Sequence, residues 1–215
     1  MAGFLEFLAS RWDSLLEDAI GHVQVVLLAL IIATFIGITL GVLTYRRQAI
    51  AQALLAVTSV MLTIPSFALF GLMVPILGLG YIPTVVALVN YSILSILRNT
   101  ITGLQSVDPA ITESAKGMGM SNFQQLVRIE LPLAWPVIIA GIRVSGLLIL
   151  GIAAIASFVG GPGLGSFIFG GLSRIGGANS INLVVSGTLA VIVLALLFEL
   201  FFSIFGKLTT SKGLN

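Results

Sequence analysis

The sequence predicts an all-α, polytopic membrane protein, a single domain over residues 1–215, with about five transmembrane helices. Hydrophobic residues make up 58% of the chain and charged residues only 8%, whereas roughly a quarter of the residues in soluble domains are charged. Several apolar segments are long enough to cross a hydrocarbon core about 30 Å thick, which takes roughly 20 helical residues. One polar stretch, Glu113–Pro132, lies between apolar segments and must project from the membrane.

Residues 1–21 are predicted to form an external interfacial helix before the first span. Apolar residues share one helical face and acidic residues lie mostly on another, a pattern typical of helices at a membrane surface. The apolar set is Leu5, Leu8, Trp12, Leu15, Leu16 and Ala19; the acidic set is Glu6, Asp13, Glu17 and Asp18. Trp12 is the expected anchor, and His22 is expected at headgroup level.

The five spans are placed at Val23–Thr44, Ile50–Leu77, Ile82–Leu97, Ala134–Phe158 and Leu183–Gly206. Pro65 interrupts the second span and is expected to kink it, because proline removes one backbone hydrogen bond. Thr63 and Ser66 can satisfy the carbonyl that is freed. Irregular backbone is tolerated at membrane depth where it faces protein or water. Thr63, Pro65 and Ser66 are therefore candidate pathway residues, with a passive structural kink as the alternative.

Two charged residues, Arg143 and Glu199, fall inside predicted spans. Charges at membrane depth are costly, so such residues are functional candidates or partners of each other. Arg143 is assigned either a buried structural role or a place in the pathway. Glu199 has the alternative of extending toward the inner headgroups.

Segment 99–132 predicts a pair of short helices between the third and fourth spans. Asp108 followed by Pro109 fits an N-cap and a first helical residue. Gly119 fits a left-handed stop. Ser121 and Gln124 have capping-box spacing, and Pro132 is expected to end the second helix.

This segment resembles the cytoplasmic coupling motif in membrane subunits of type I, binding-protein-dependent ABC importers. The motif reads Glu-Ala-Ala, three residues, Gly, nine residues, Ile, one residue, Leu-Pro. The matching positions are Glu113, Ser114, Ala115, Gly119, Ile129, Leu131 and Pro132, with Ser114 in place of alanine. The flanking stretches TIPSFALFGLMVPILGLG, RNTITGLQSVDPAITESAKGMGM and ASFVGGPGLG are similar to osmoprotectant permeases for glycine betaine, choline or carnitine.

The resemblance implies a transmembrane subunit that forms the translocation pathway for a small zwitterion or quaternary amine. It implies an ABC ATPase dimer, a second permease subunit (identical or sister) and an extracellular or periplasmic substrate-binding protein as partners. The ATPase-coupling residues are the seven motif positions together with the apolar Phe123 and Leu126. No cofactor is expected in this chain, which lacks a P-loop sequence; ATP and Mg belong to the partner ATPase.

The distribution of Lys and Arg predicts the orientation in a bacterial plasma (inner) membrane. With the coupling segment in the cytoplasm, the inner side carries Arg46, Arg47, Arg98, Lys116, Arg128, Lys207 and Lys212, and the outer side carries Arg11 and Arg174. Cytoplasmic loops are generally enriched in Lys and Arg. The N-terminus is therefore expected outside and the C-terminus in the cytoplasm.

Small residues with four-residue spacing predict close helix contacts, because membrane helices associate through close backbone approach. Gly141 and Ser145 form one such pair, and Ser186 and Ala190 form another. These residues are expected to pack within one subunit or against a second permease subunit. The sequence leaves both alternatives open.

Two other classes of function fit the sequence less well. An intramembrane enzyme is disfavoured because Ser145 and Ser186 lack a Gly-x-Ser-Gly context, His22 is the single histidine, and no cysteine is present for a thiolate or metal site. A stand-alone channel or carrier leaves the projecting helices unexplained. A formal charge of +2 gives no indication of nucleic-acid binding. The 18 aromatic residues show no cage for a quaternary ammonium group, so selectivity is expected in the binding protein.

Overall fold

The computed structural model describes residues 2–209, and every regular element in that range is helical. The all-α, multi-pass fold class is therefore confirmed. Within these described residues there are ten α-helices, numbered in chain order: α1 (Ala2–Ser10), α2 (Trp12–Thr44), α3 (Gln48–Thr63), α4 (Ser66–Leu77), α5 (Tyr81–Gln105), α6 (Pro109–Gly117), α7 (Asn122–Gln125), α8 (Leu131–Ala156), α9 (Gly165–Leu172) and α10 (Ser180–Thr209). A π-helical turn, Leu126–Glu130, joins α7 to α8, and a short 3₁₀ turn, Ser157–Val159, follows α8.

Four of these elements are long and apolar enough to cross a membrane alone: α2, α5, α10 and the continuous helix Asn122–Val159. The second predicted span, Ile50–Leu77, corresponds to α3 and α4, which pass the same test together but are bent by 94°. The bend lies at Ile64 and Pro65, where the sequence predicted an interruption. The third span is longer than predicted, because α5 continues past Arg98 to Gln105 and buries Ile101 and Leu104.

The core lies where α5 packs between α2 and α8. Its largest fully buried aliphatic side chains include Leu88, Ile96, Ile138 and Ile149. A Cβ at Gly141 of α8 would come within 2.6 Å of the Asn99 Cβ on α5, so a residue without a side chain is needed at this contact.

The small-residue pairs therefore contribute to packing within one subunit. Beside Gly141, the Ser145 hydroxyl donates to the Ser92 carbonyl on α5 at 2.8 Å. Ser186 is 2% exposed, and Ala190 packs against the cluster of Leu15, Leu164 and Phe167. Of the two alternatives left open by the sequence, these contacts show the intrasubunit one.

The N-terminal segment is not one helix over residues 1–21. It breaks at Arg11, and Trp12–Gly21 continues into the first span as part of α2. Leu15 packs against Leu164 and Phe167 near α9, and the Ser166 hydroxyl donates to the Asp18 carboxylate. These contacts hold this part of the chain on the helical bundle as an extension of α2.

His22, which the sequence places at headgroup level, is fully buried within the subunit. Its Nδ1 accepts a hydrogen bond from the Leu164 backbone N–H at 3.3 Å, so its Nε2 carries the proton and donates to the Leu150 carbonyl at 3.0 Å. The imidazole thus joins α2, the end of α8 and the loop before α9.

Candidate functional site

The candidate site centres on the helix pair α6–α7, which lies between two spans. Since α5 continues to Gln105, the projecting part begins at Ser106 and not at residue 99. Asp108 is the N-cap of α6: its carboxylate accepts from the Ala110 N–H at 2.8 Å, with Pro109 as the first helical residue. This arrangement satisfies a backbone donor that helices leave free at their start.

A Schellman motif ends α6. Gly119 has φ +83°, the Met120 N–H donates to the Ala115 carbonyl at 3.1 Å, and the Gly119 N–H donates to the Lys116 carbonyl at 3.0 Å. The left-handed stop predicted at Gly119 is therefore present. A reciprocal capping box between Ser121 and Gln124 then starts α7. Local capping interactions thus set the start of both short helices and the end of α6.

The residues matched to the coupling motif differ in exposure. Ala115 is fully buried, whereas Glu113, Ser114, Gly119 and Phe123 are exposed. Leu126, Ile129 and Leu131 are half-buried and Pro132 is exposed. Among residues 2–209, Glu113 forms no ion pair.

Apolar side chains remain uncovered on this segment. Met118 and Phe123 are 75% and 72% exposed, and Ile111 and Val127 are also exposed. Exposed apolar groups on a polar, projecting segment are typical of an interaction surface.

Pro132 does not end the second helix, contrary to the prediction. The chain continues from α7 through the π-helical turn Leu126–Glu130 into α8, with Pro132 in the first turn of α8. In this wider turn the Leu131 N–H donates to the Leu126 carbonyl, five residues back. A π turn changes the local hydrogen-bond register, and Pro132, which has no N–H to donate, follows directly after this turn. The projecting helix is thus directly continuous with the fourth span.

Glu130, at the end of the π turn, is a site residue that sequence reasoning missed. It is 5% exposed, and its carboxylate accepts from the Tyr45 hydroxyl at 2.5 Å and from Arg46 Nη2 at 3.1 and 3.2 Å. Tyr45 and Arg46 lie in the turn between α2 and α3. An acidic residue between Ile129 and Leu131 was the available signal, but its partners are more than 80 residues away in the chain.

The candidate pathway residues lie at the bend between α3 and α4. Thr63 and Pro65 are exposed and Ser66 is half-buried. The Thr63 hydroxyl donates to the Val60 carbonyl at 2.7 Å, whereas the Ile64 carbonyl at the break accepts from the Tyr91 hydroxyl at 2.6 Å. The carbonyl that Pro65 frees is that of Met61, four residues back. It accepts from the Ile64 N–H at 3.4 Å, so the prediction that Thr63 or Ser66 would satisfy it is wrong.

Arg143 and Glu199 are partners of each other. Arg143 Nε donates to the Glu199 carboxylate at 2.8 Å, and a second contact joins Nη2 to the other carboxylate oxygen. Their side chains are 39% and 37% exposed on the isolated subunit. The pair links α8 to α10, which fits the structural alternative for Arg143; its place in a pathway stays a prediction.

Three phenylalanines meet where α4, the 3₁₀ turn and α9 come together. The ring centroids of Phe67 and Phe158 are 4.2 Å apart, and those of Phe158 and Phe169 are 6.1 Å apart. Because Phe67 and Phe158 pack directly on one another, these rings do not surround a common ligand-sized gap. In the described part of the chain, no group of three or more acidic or histidine side chains is placed to hold a metal ion.

Residues 25–210 match the family described as "Binding-protein-dependent transport system inner membrane component". The chain belongs to this family. It is therefore a multi-pass membrane component of a transport system.

Members of this family from several bacteria are similar over nearly the whole chain. The glycine betaine/carnitine/choline transport system permease protein OpuCB of Bacillus subtilis (strain 168) is 36% identical, covering 100% of this chain and 97% of the relative. The carnitine transport permease protein OpuCB of Listeria monocytogenes is 37% identical, covering 93% and 89%. The osmoprotectant import permease protein OsmW of Salmonella typhimurium is 38% identical, covering 90% and 91%.

Solved structures show the same fold. An inward-facing structure of the MetNI methionine ABC transporter superposes with a TM-score of 0.80 at 20% identity, covering 92% of this chain and 96% of that chain. An amino acid ABC transporter crystallised with histidines gives a TM-score of 0.73 at 19% identity, covering 96% and 97%.

Proposed function

We propose that this chain is the transmembrane subunit of an ATP-driven ABC importer and forms the passage for a small osmoprotectant. The observation that carries the proposal is the full-length similarity, at 36% identity, to a permease named for glycine betaine, carnitine and choline. The proposed substrate class is accordingly a small zwitterion or quaternary amine, such as these three compounds.

The partners follow from the same assignment. An ABC ATPase dimer binds ATP and Mg and supplies the energy, while this subunit is non-catalytic. A second permease subunit, identical or sister, completes the passage, and an extracellular or periplasmic binding protein delivers the substrate. The N-terminus lies outside and the C-terminus in the cytoplasm of a bacterial plasma membrane.

The α6–α7 pair is the proposed docking surface for the ATPase. Support comes from its exposed apolar side chains, Met118 and Phe123 in particular, and from the exposed carboxylate of Glu113 beside the small Ser114. The unbroken helix from α7 through the π turn into α8 provides a rigid connection to a span. Reversing a two-state preference from 1:99 to 99:1 takes about 5.5 kcal/mol of differential interaction, which docked helices tied to spans can transmit.

The bend at Ile64 and Pro65 is proposed to line the passage. Thr63 and Pro65 are exposed there on the isolated subunit, and the broken backbone places polar groups where a continuous helix would bury them. Arg143, in the middle of α8, is the second proposed pathway position.

The test is co-purification of the tagged chain from its native membranes, followed by uptake measurements with labelled glycine betaine, choline and carnitine. We expect an ABC ATPase to co-purify, and ATP-dependent accumulation of at least one of the three compounds. Deletion of the gene should abolish that accumulation, and labelled glucose serves as the control solute. Purification without any ATPase, or uptake that persists after ATP depletion, would contradict the proposal.

A further inference from the structure

Tyr45 lies in the turn between α2 and α3 and contacts both ends of the projecting segment 106–130. At the start of the segment, Gln105 Nε2 donates to the Tyr45 backbone carbonyl at 2.8 Å. At its end, the Tyr45 hydroxyl donates to the Glu130 carboxylate at 2.5 Å. Gln105 is the last residue of α5, and Glu130 is the last residue before α8. Tyr45 thus forms one hydrogen bond where the chain leaves the bundle, at Gln105, and another where it returns, at Glu130.

The hydrogen bond between Tyr45 and Glu130 is buried, and its acceptor is a charged carboxylate. Glu130 is 5% exposed and Tyr45 is 9% exposed, so water competes little for their hydrogen bond. Arg46 adds two hydrogen bonds to the same carboxylate and balances its charge. Burial, and then the neighbouring Glu130 carboxylate, raise the pKa of the Tyr45 phenol to about 12. The hydroxyl therefore remains a donor throughout the physiological pH range.

The segment between these two bonds also has hydrogen bonds of its own. The caps and the Schellman motif fix α6 and α7 locally, and Gln125 Nε2 donates to the Met120 carbonyl within the segment. Besides the two bonds to Tyr45, the ion pair between Arg46 and Glu130 and the packing of Leu126 against the core attach the segment to the bundle.

We propose that Tyr45 is a positioning residue that clamps both ends of segment 106–130, so that a displacement of α6 and α7 moves the inner ends of α2, α5 and α8 together. This inference rests on the proposed coupling to an ATPase. Loss of the clamp lets the helix pair tilt on its own, and movement of the ATPase is then transmitted incompletely to the spans. ATP hydrolysis continues while less substrate crosses per ATP.

The first test is the Tyr45→Phe variant in proteoliposomes that contain the complete importer and its binding protein. The substitution removes only the hydroxyl and keeps the ring and the carbonyl that Gln105 uses. Losing a hydrogen bond to a charged acceptor should raise the unclamped population about tenfold, so the number of substrate molecules taken up per ATP hydrolysed should fall. Tyr81→Phe is the matched control, because Tyr81 is 43% exposed at the other end of α5.

Glu130 variants separate the hydrogen bond from general stability. Glu130→Gln keeps an oxygen acceptor for Tyr45 but loses the ion pair with Arg46, whereas Glu130→Ala loses both. The ratio of uptake to hydrolysis should fall less for Glu130→Gln than for Glu130→Ala. Residues in direct contact do not act additively, so the Tyr45→Phe/Glu130→Ala double variant should be no worse than Glu130→Ala alone.

A distance measurement tests the clamp without transport. The native chain has no cysteine, so spin labels can be attached to Gln48→Cys and Asn122→Cys, both at exposed positions. In the purified permease, Tyr45→Phe should broaden the distance distribution between these labels, and Tyr81→Phe should not. Gln105→Leu breaks the other bond and should broaden it as well, which provides a second variant should Tyr45→Phe express poorly.

An unchanged distance distribution together with a wild-type ratio of uptake to hydrolysis in Tyr45→Phe would overturn the clamp. So would additive effects of Tyr45→Phe and Glu130→Ala. If the wild-type complex shows no ATP-dependent uptake, the proposed function fails, and the spin-label distances still decide whether Tyr45 clamps the segment.

Discussion

At the scale of single residues, Glu113 offers a direct test of docking. Its carboxylate is exposed and has no ion-pair partner among residues 2–209, so in this chain it is free to meet a basic group on the ATPase. Removing one member of a charge pair buried at an interface costs about 2–5 kcal/mol of association. Glu113→Ala should weaken ATPase binding by that amount and reduce uptake.

The alternative for Glu113 is a solvated pair with Lys116, three residues on, which is worth only about 0.2–0.5 kcal/mol. Lys116→Ala tests that alternative in the same helix. Glu17→Ala is the control, because it removes an exposed carboxylate from the N-terminal part of α2. Binding affinities should be measured for all three variants. Wild-type affinity and uptake in Glu113→Ala would exclude the docking role.

Gly119 and Gly117 form a matched pair for the role of backbone conformation. A Cβ at either position would meet nothing within 4 Å, but only Gly119 has a positive φ, +83°. A left-handed conformation costs a residue other than glycine roughly 1–2 kcal/mol. Gly119→Ala should therefore lower substrate-stimulated ATP hydrolysis by disturbing the angle between α6 and α7, and Gly117→Ala should not. Equal stimulation in both variants, at equal expression, would show that the turn does not need glycine.

These residues also show how far the sequence could predict the site. Asp108, Gly119, Ser121 and Gln124 act on backbone groups within a few residues, so local spacing was sufficient to predict the caps. The bonds of Glu130 to Tyr45 and of His22 to Leu150 join residues 85 and 128 positions apart. Such pairs depend on how the spans pack against each other, and a single sequence contains no local signal for them.

At the scale of elements, the break between α3 and α4 depends on a neighbouring helix. The Ile64 carbonyl at the break accepts from Tyr91 of α5, and the bend reaches 94°. Tyr91→Phe leaves this carbonyl without its partner, which for a buried group costs about 1–3 kcal/mol. We expect a lower thermal unfolding midpoint for the purified protein and a wild-type midpoint for the exposed Tyr81→Phe. No difference between the two variants would mean that the bend is fixed by Pro65 alone.

Element boundaries were predictable where they depend on hydropathy or on local breakers. The five spans and the position of the bend followed from apolar length and Pro65. The same rule misplaced the end of the second projecting helix at Pro132, because a π turn and a first-turn position accommodate that proline. The rule also placed a boundary between residue 21 and the first span, whereas α2 begins at Trp12. There Leu15 packs against Leu164 and Phe167, which lie far away in the sequence.

The ion pair between Arg143 and Glu199 ties α10 to α8. Few residues of α10 are buried, among them Ser186 and Phe202, and the ion pair adds a polar link to the apolar packing of Ala190 and Leu194. Removing one charge leaves the other unpaired in a span, whereas removing both does not. Arg143→Met and Glu199→Gln should each lower the unfolding midpoint more than the double variant does. A double variant as unstable as the sum of the single ones would show that the pair is not coupled.

At the scale of the whole molecule, this subunit is predicted to provide a passage and a docking surface, with the ATP and high-affinity ligand sites on other chains. The sequence contains no P-loop pattern, and the group of Phe67, Phe158 and Phe169 packs ring against ring without enclosing a site for a quaternary ammonium ion. Purified alone in lipid, the chain should neither hydrolyse ATP nor bind glycine betaine, choline or carnitine with micromolar affinity. Adding the ATPase and the binding protein should restore ATP-driven accumulation. Calorimetric titration of the isolated subunit is the direct measurement, with the binding protein as the positive control. Tight, stoichiometric binding to the subunit alone would move the specificity site into the spans, and the bend at Pro65 would be the first place to look for it.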